Sequence, residues 1–173
     1  MNPTDRKDAT VTVSLCPPGL LVPDIMTAFE ADATDASIAL SRTHRAVLRL
    51  EGHLQTMADL AAAELTLRQA WDQSARNLIS LATTDRGVRL WTRRATDDWW
   101  EVSGHGSSGR AWLAHPRTFR LLHRHLCTLV GGRPAYLIDE SGSLMVSASQ
   151  IPDGALLYSS GFPQRAEVWA AAA

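Results

Sequence analysis

The stretch TDASIALSRTHRAVLRLEGHLQTMADLAAAELTLRQAWDQSARNLISLA, residues 34–82, decides how the chain is read. Leu40, Val47, Leu50, Leu54, Met57 and Ala61 step by sevens, threes and fours, the spacing of a coiled-coil seam. Thr34 or Asp35 supplies an N-cap, and Asp85-Arg86-Gly87 a stop. Gly52 is the one weak point, and a helix-interior glycine costs only about 1 kcal/mol relative to alanine. A helix of about 48 residues would be about 70 Å long, more than a small domain needs. Either it pairs with a second copy or it breaks near Gly52 into an antiparallel pair; pairing is favoured, with Leu40, Val47, Leu50, Leu54 and Met57 as the expected dimerisation seam. After Ala61 the seam continues less regularly through Leu65, Trp71 and Leu78.

Outward from this stretch, the expected fold class is α+β. A long N-terminal amphipathic helix precedes a small antiparallel sheet packed with one helix. Residues 1–9 are expected to be a disordered tail and 10–84 a mainly helical dimerisation region. Residues 85–169 are expected to form an α+β domain. Val11 to Leu15 reads as a short strand, and Pro23 opens a short helix whose inward residues are Ile25, Met26 and Phe29. Val88 to Thr92, Trp99 to Ser103 and Arg110 to Ala114 read as strands. Pro116 starts a basic helix, 116–130, that Gly131-Gly132 ends. A hairpin spans 135–147 around Glu140-Ser141-Gly142. Its strand, Asp, Gly turn, strand form resembles hairpins of several sensory and adaptor domains and assigns no residue a role.

Charge is uneven along the chain. Net charge is -1, yet residues 86–133 carry nine arginines against Asp97, Asp98 and Glu101, which gives +6. The remainder has 8 basic and 15 acidic residues, which gives −7. Such halves suit binding to each other, to a second copy or to separate partners. Cys16 and Cys127 are the only cysteines, and neither belongs to a CxxC, which points to a reducing, cytoplasmic setting. No run of apolar residues is long enough for a membrane span.

Three groups of residues have the composition of a reactive or ligand-holding site. Gly104-His105-Gly106-Ser107-Ser108-Gly109 has the spelling of a dinucleotide loop. The next segment, Arg110 to Ala114, reads as a strand where a dinucleotide site needs a helix, and no acid lies at the ribose-binding distance. The loop is expected to be a turn with no cofactor. His115, His123, His125 and Cys127 do not offer four converging ligands, so no metal is expected. Ser107 or Ser108 with His105 and Asp139 lacks the nucleophile-elbow pattern, and no catalytic residue is assigned.

The remaining signal is arginine with tryptophan. Trp91, Trp99, Trp100 and Trp112 lie in the +6 segment with Arg110, and Arg117, Arg120 and Arg124 form a stripe along the basic helix. These are the expected binding residues. They favour a homodimeric interaction protein (adaptor, regulator or assembly factor) holding a partner with an acidic surface. A nucleic-acid-binding regulator and a small enzyme or ligand sensor are the alternatives.

Overall fold

A computed structural model describes residues 19–166; the expected tail at 1–9 and strand at Val11 to Leu15 lie outside them. The first elements are β1 (Leu21–Thr27), β2 (Ser37–Ala39), β3 (His44–Leu50) and β4 (His53–Leu54), followed by helices α1 (Met57–Ala62) and α2 (Leu67–Ala82). Short strands β5 (Thr83–Thr84) and β6 (Gly87–Val88) lead to β7 (Leu90–Arg94), β8 (Trp100–Gly104) and β9 (Ser107–Ser108). A 3₁₀ helix, Gly109–Leu113, then runs into α3 (Pro116–Val130). The described chain closes with β10 (Ala135–Ile138), β11 (Leu144–Ser147), β12 (Leu156–Ser159) and β13 (Phe162–Arg165).

The fold is therefore mostly β, and neither the long N-terminal helix nor its coiled coil is formed. The seam residues are distributed over separate elements. Val47 and Leu50 lie in β3, Leu54 in β4, and Leu40 follows β2. Leu40 and Val47 are buried within their own chain, while Met57 opens α1 at 45% exposure. The reason is local. Glu51 and Gly52 both have positive φ, 52° and 84°, and close a two-residue hairpin that pairs Leu50 with His53, the geometry favoured between antiparallel strands. Thr56 and Thr66 then start new helices, each with a complete capping box, to Asp59 and Gln69.

Strand β3 lies between β1 and β2, and Ala46, Val47 and Leu48 are buried in succession. A strand covered on both faces loses its period-two signature, so its leucines imitate helical spacing. The short helix expected after Pro23 is β1 instead, paired antiparallel with β3 from Leu21↔Leu50 to Thr27↔His44. Proline is tolerated there because β1 is an edge strand. Ile25 is buried as expected of an inward residue, but Phe29 is 98% exposed.

The second sheet has order β13-β12-β10-β11-β8-β7, with β9 on β8. The segment expected as a strand at Arg110 to Ala114 is the 3₁₀ helix. Helix α3 carries Pro116 in its first turn and ends on Gly131 at φ 69°, the left-handed stop that glycine adopts without a Cβ penalty. One apolar core joins both sheets and α2 and α3, including Ile25, Leu48, Trp71, Trp112, Phe119 and Tyr136. Polar ties reinforce it. Trp71 Nε1–H donates to the Ala114 carbonyl at 2.8 Å, and Asn77 Nδ2 donates to the Leu21 carbonyl at 2.8 Å.

Candidate binding site

The glycine loop is explained by packing. A Cβ on Gly104 would collide with Trp112 Nε1, and one on Gly109 would collide with the Val102 carbonyl oxygen. Gly106 turns the β8–β9 hairpin at φ 68°. Each glycine of the motif thus has a backbone or core reason to be there. Ser107 is buried, and its Oγ accepts the Trp112 Nε1–H at 3.2 Å. Asp139 Oδ1 instead accepts Ser143 N–H at 2.9 Å and the Ser141 hydroxyl at 2.6 Å, closing its own hairpin turn. The Ser141 hydroxyl, then the backbone amides, hold its carboxyl below the usual range. Ser107, His105 and Asp139 are not joined by any hydrogen bond among the described residues.

The histidines are dispersed likewise. His123 stacks on Tyr158 with centroids 4.1 Å apart, and its Nδ1 is 2.7 Å from the Tyr136 hydroxyl. Its Nε2 is 3.5 Å from Cys127 Sγ. Burial pushes the Cys127 thiol up and the His123 imidazole down, so both stay neutral near pH 7 and form packing, not a thiolate–imidazolium pair. His125 is exposed on the same helix.

The expected binding residues divide among three places. Trp112 is fully buried and belongs to the core. Arg110 Nη2 donates to Asp24 Oδ2 at 2.9 Å, beside Arg49 Nε at 2.8 Å on the same oxygen, so it is committed to an internal ion cluster. Trp91, Trp99 and Trp100 lie on and beside the β7–β8 hairpin, where the arginines are engaged. Arg93 pairs with Glu101, Arg94 stacks over Trp100 at 5.8 Å, and Arg89 stacks over Trp91 at 5.7 Å. Trp99 Nε1–H donates to Gln150 Oε1 at 3.1 Å. Trp91 stays 51% exposed.

The third place is a cleft of about 440 Å³ between α2 and α3. The stripe on α3, Arg117, Arg120 and Arg124, lines it, and Arg68 of α2 joins them. Trp71, Ile79, Leu121 and Phe162 supply its apolar lining. All four arginines are exposed. Among the described residues, the one ion pair that any of them makes is Arg68 Nε to Asp72 Oδ2 at 3.1 Å. Helix geometry places the stripe there: residues three and four apart share a side, while Phe119, Leu122 and Leu126 bury the other face. Sequence reasoning missed Arg68, because it was assigned to a continuous coiled coil.

His115 connects the two helices at the cleft. Its Nδ1 accepts Arg117 N–H at 3.0 Å, capping α3, and its Nε2 is 3.1 Å from Asp72 Oδ1. An accepting Nδ1 means that the proton is on Nε2 and the ring is neutral. Burial, opposed by Asp72, lowers the His115 pKa; the hydrogen bond from His115 lowers that of Asp72.

A folded-state value below the unfolded one makes the unfolded chain the better proton binder. The stabilisation is therefore fully present above the unfolded value of about 6.5 and lost as pH falls through the folded value. His44 and His123 act in the same direction, each lowered chiefly by burial. Urea midpoints measured from pH 7.5 to 5 should decline, and His115→Asn, which can still cap, should decline less steeply. An identical slope in both proteins would show that His115 does not titrate in the fold.

Among the described residues, no helix is long and apolar enough to cross a membrane, and no three metal-ligating side chains converge. Compared with known proteins, the chain matches no family model, and no curated protein or solved structure is significantly similar to it.

Proposed function

We propose that the protein is a cytoplasmic interaction protein whose α2–α3 cleft holds an acidic, partly apolar segment of a protein partner. The observation that carries this reading is the concentration of Arg68, Arg117, Arg120 and Arg124 around one apolar-lined cleft, with Asp72 their sole ion-pair partner among the described residues. Exposed guanidinium groups on a rigid helix recognise carboxylates and steer encounter, while the apolar lining rewards aliphatic side chains. The β7–β8 hairpin supports it less well as the site, because Arg89, Arg93 and Arg94 all meet Glu101, Asp97 or an indole. Among the described residues, Arg68 is the one cleft arginine with such contacts, to Asp72 and the Trp71 indole. Stacking of bases has only the half-buried Phe162 to use in the cleft, since Trp71 is buried. The pair of cysteines, neither in a CxxC, supports the cytoplasmic setting.

The test is fluorescence anisotropy with a labelled peptide of alternating Glu and Leu and, separately, a labelled single-stranded oligonucleotide, each at two salt concentrations. Arg117→Glu/Arg120→Glu/Arg124→Glu should keep its unfolding midpoint, because exposed charges contribute little to stability. It should bind the peptide about 30-fold more weakly, roughly 2 kcal/mol of lost attraction. Unchanged peptide binding by the variant would remove the cleft from the account. Binding of the oligonucleotide alone would replace the protein partner with nucleic acid.

A further inference from the structure

We infer that the acidic segment held by the cleft is the β1–β2 loop, residues 28–35, of a second copy of this chain. This rests on the cleft being a binding site for acidic segments, and it names the partner. The loop reads Ala-Phe-Glu-Ala-Asp-Ala-Thr-Asp, with three acids and no base. It carries Phe29 at 98% exposure, the most exposed large apolar side chain among the described residues. Beside it, Ala28, Ala31, Ala33 and the exposed Met57 line a hollow together with Asp32, Asp35 and Ser37, and with Arg45, whose Nε donates to the Ser37 hydroxyl at 2.9 Å. The loop thus offers an exposed aromatic among three carboxylates, and the cleft is an apolar hollow edged by guanidinium groups.

The loop is also held in shape without any partner. Glu30 Oε2 accepts Thr27 N–H at 3.0 Å and the Thr27 hydroxyl at 2.7 Å. Asp35 Oδ2 accepts Asp32 N–H at 2.8 Å, and Asp35 N–H returns to the Asp32 carbonyl at 3.2 Å. A loop ordered before binding loses little conformational freedom on docking. An aromatic fully exposed on such a loop has the form of an interface anchor. The loop of each copy seated in the cleft of the other would form a symmetric dimer.

The experiment is light scattering on the full chain at about 100 μM, a concentration that populates complexes of micromolar affinity. Wild type should be dimeric. Phe29→Ala/Asp32→Lys, which spares Glu30 and Asp35, and the triple Arg→Glu variant should each be monomeric. Thermal unfolding checks that both fold, and a mixture of the two should recover a heterodimer through the one intact loop and one intact cleft. A monomeric wild type, or a loop variant that dimerises like wild type, overturns the inference. If wild type is monomeric yet binds the Glu/Leu peptide through its arginines, the cleft reading stands and only the second copy falls. If neither assembly nor peptide binding occurs, both fall.

Discussion

Trp112→Ala should lower the unfolding free energy by about 4 kcal/mol, within the range for truncating a fully buried large aromatic. Trp112 is completely enclosed, and three independent features meet at it. Its indole occupies the space that a Cβ on Gly104 would need. Its Nε1–H donates to Ser107 Oγ, and its carbonyl accepts the Thr118 hydroxyl at 2.9 Å. Removing the ring therefore opens a cavity under the glycine hairpin and leaves the buried Ser107 hydroxyl without its donor. Against a total stability of about 5–15 kcal/mol for a domain of this size, such a loss is large. Trp112→Phe should recover part of it by filling most of the volume. Urea denaturation of the three proteins is the check, and a loss below about 1 kcal/mol for Trp112→Ala would mean that the site collapses around the void.

Asp24→Ala should cost about 3 kcal/mol, at the lower end of the range for breaking a buried ion pair. The carboxylate is buried, and its Oδ2 receives Arg49 and Arg110 while Oδ1 accepts Ile25 N–H at 2.9 Å. The guanidinium groups are about a third exposed, so after truncation they can reach water, which keeps the cost from being higher. The cluster matters for architecture because Asp24 is in β1, Arg49 in β3 and Arg110 in the 3₁₀ helix: one carboxylate fastens the first sheet to the 3₁₀ helix. Adding Arg110→Ala to Asp24→Ala should cost less than the sum of the single changes, a coupling that a double-mutant cycle by denaturation measures. Strict additivity would show that the two residues do not act as a clamp.

The two halves of the chain differ in how openly they state their structure. Around α3, punctuation is unambiguous: Pro116 opens the helix, Gly131 ends it at positive φ, and Phe119, Leu122 and Leu126 mark the inward face. The turn after Asp139 is equally plain, with Gly142 at φ 81°. The first half misleads for a physical reason. Central strand β3 is buried on both faces, so Val47 and Leu50 fall into helical spacing with Leu40 and Leu54 by coincidence. The signals that contradict a continuous helix were present, namely Glu51-Gly52 as a turn and the Thr66-x-x-Gln69 capping box, which starts α2 in the middle of the supposed seam.

The candidate site was legible only in part. Arg117, Arg120 and Arg124 follow from helical spacing, because residues three and four apart must share a side. Their convergence with Arg68 depends on α2 docking beside α3, which the Trp71–Ala114 hydrogen bond fixes and no local pattern encodes. The tryptophans misdirect in the opposite sense. Trp91, Trp99, Trp100 and Trp112 look alike in sequence, yet one fills the core and the others border a hairpin whose arginines are already engaged.

The central claim is that the α2–α3 cleft, and not the tryptophan hairpin, is the binding surface. A ¹⁵N-resolved NMR titration of the full chain with the Glu/Leu peptide tests it most directly, because backbone amides and indole N–H groups report both surfaces at once. The account predicts shifts at Arg68, Trp71, Arg117, Arg120 and Arg124 that shrink as salt is raised, with Trp91 and Trp99 unmoved. Shifts confined to Trp91, Trp99 and Trp100, or no shifts at all, would contradict it.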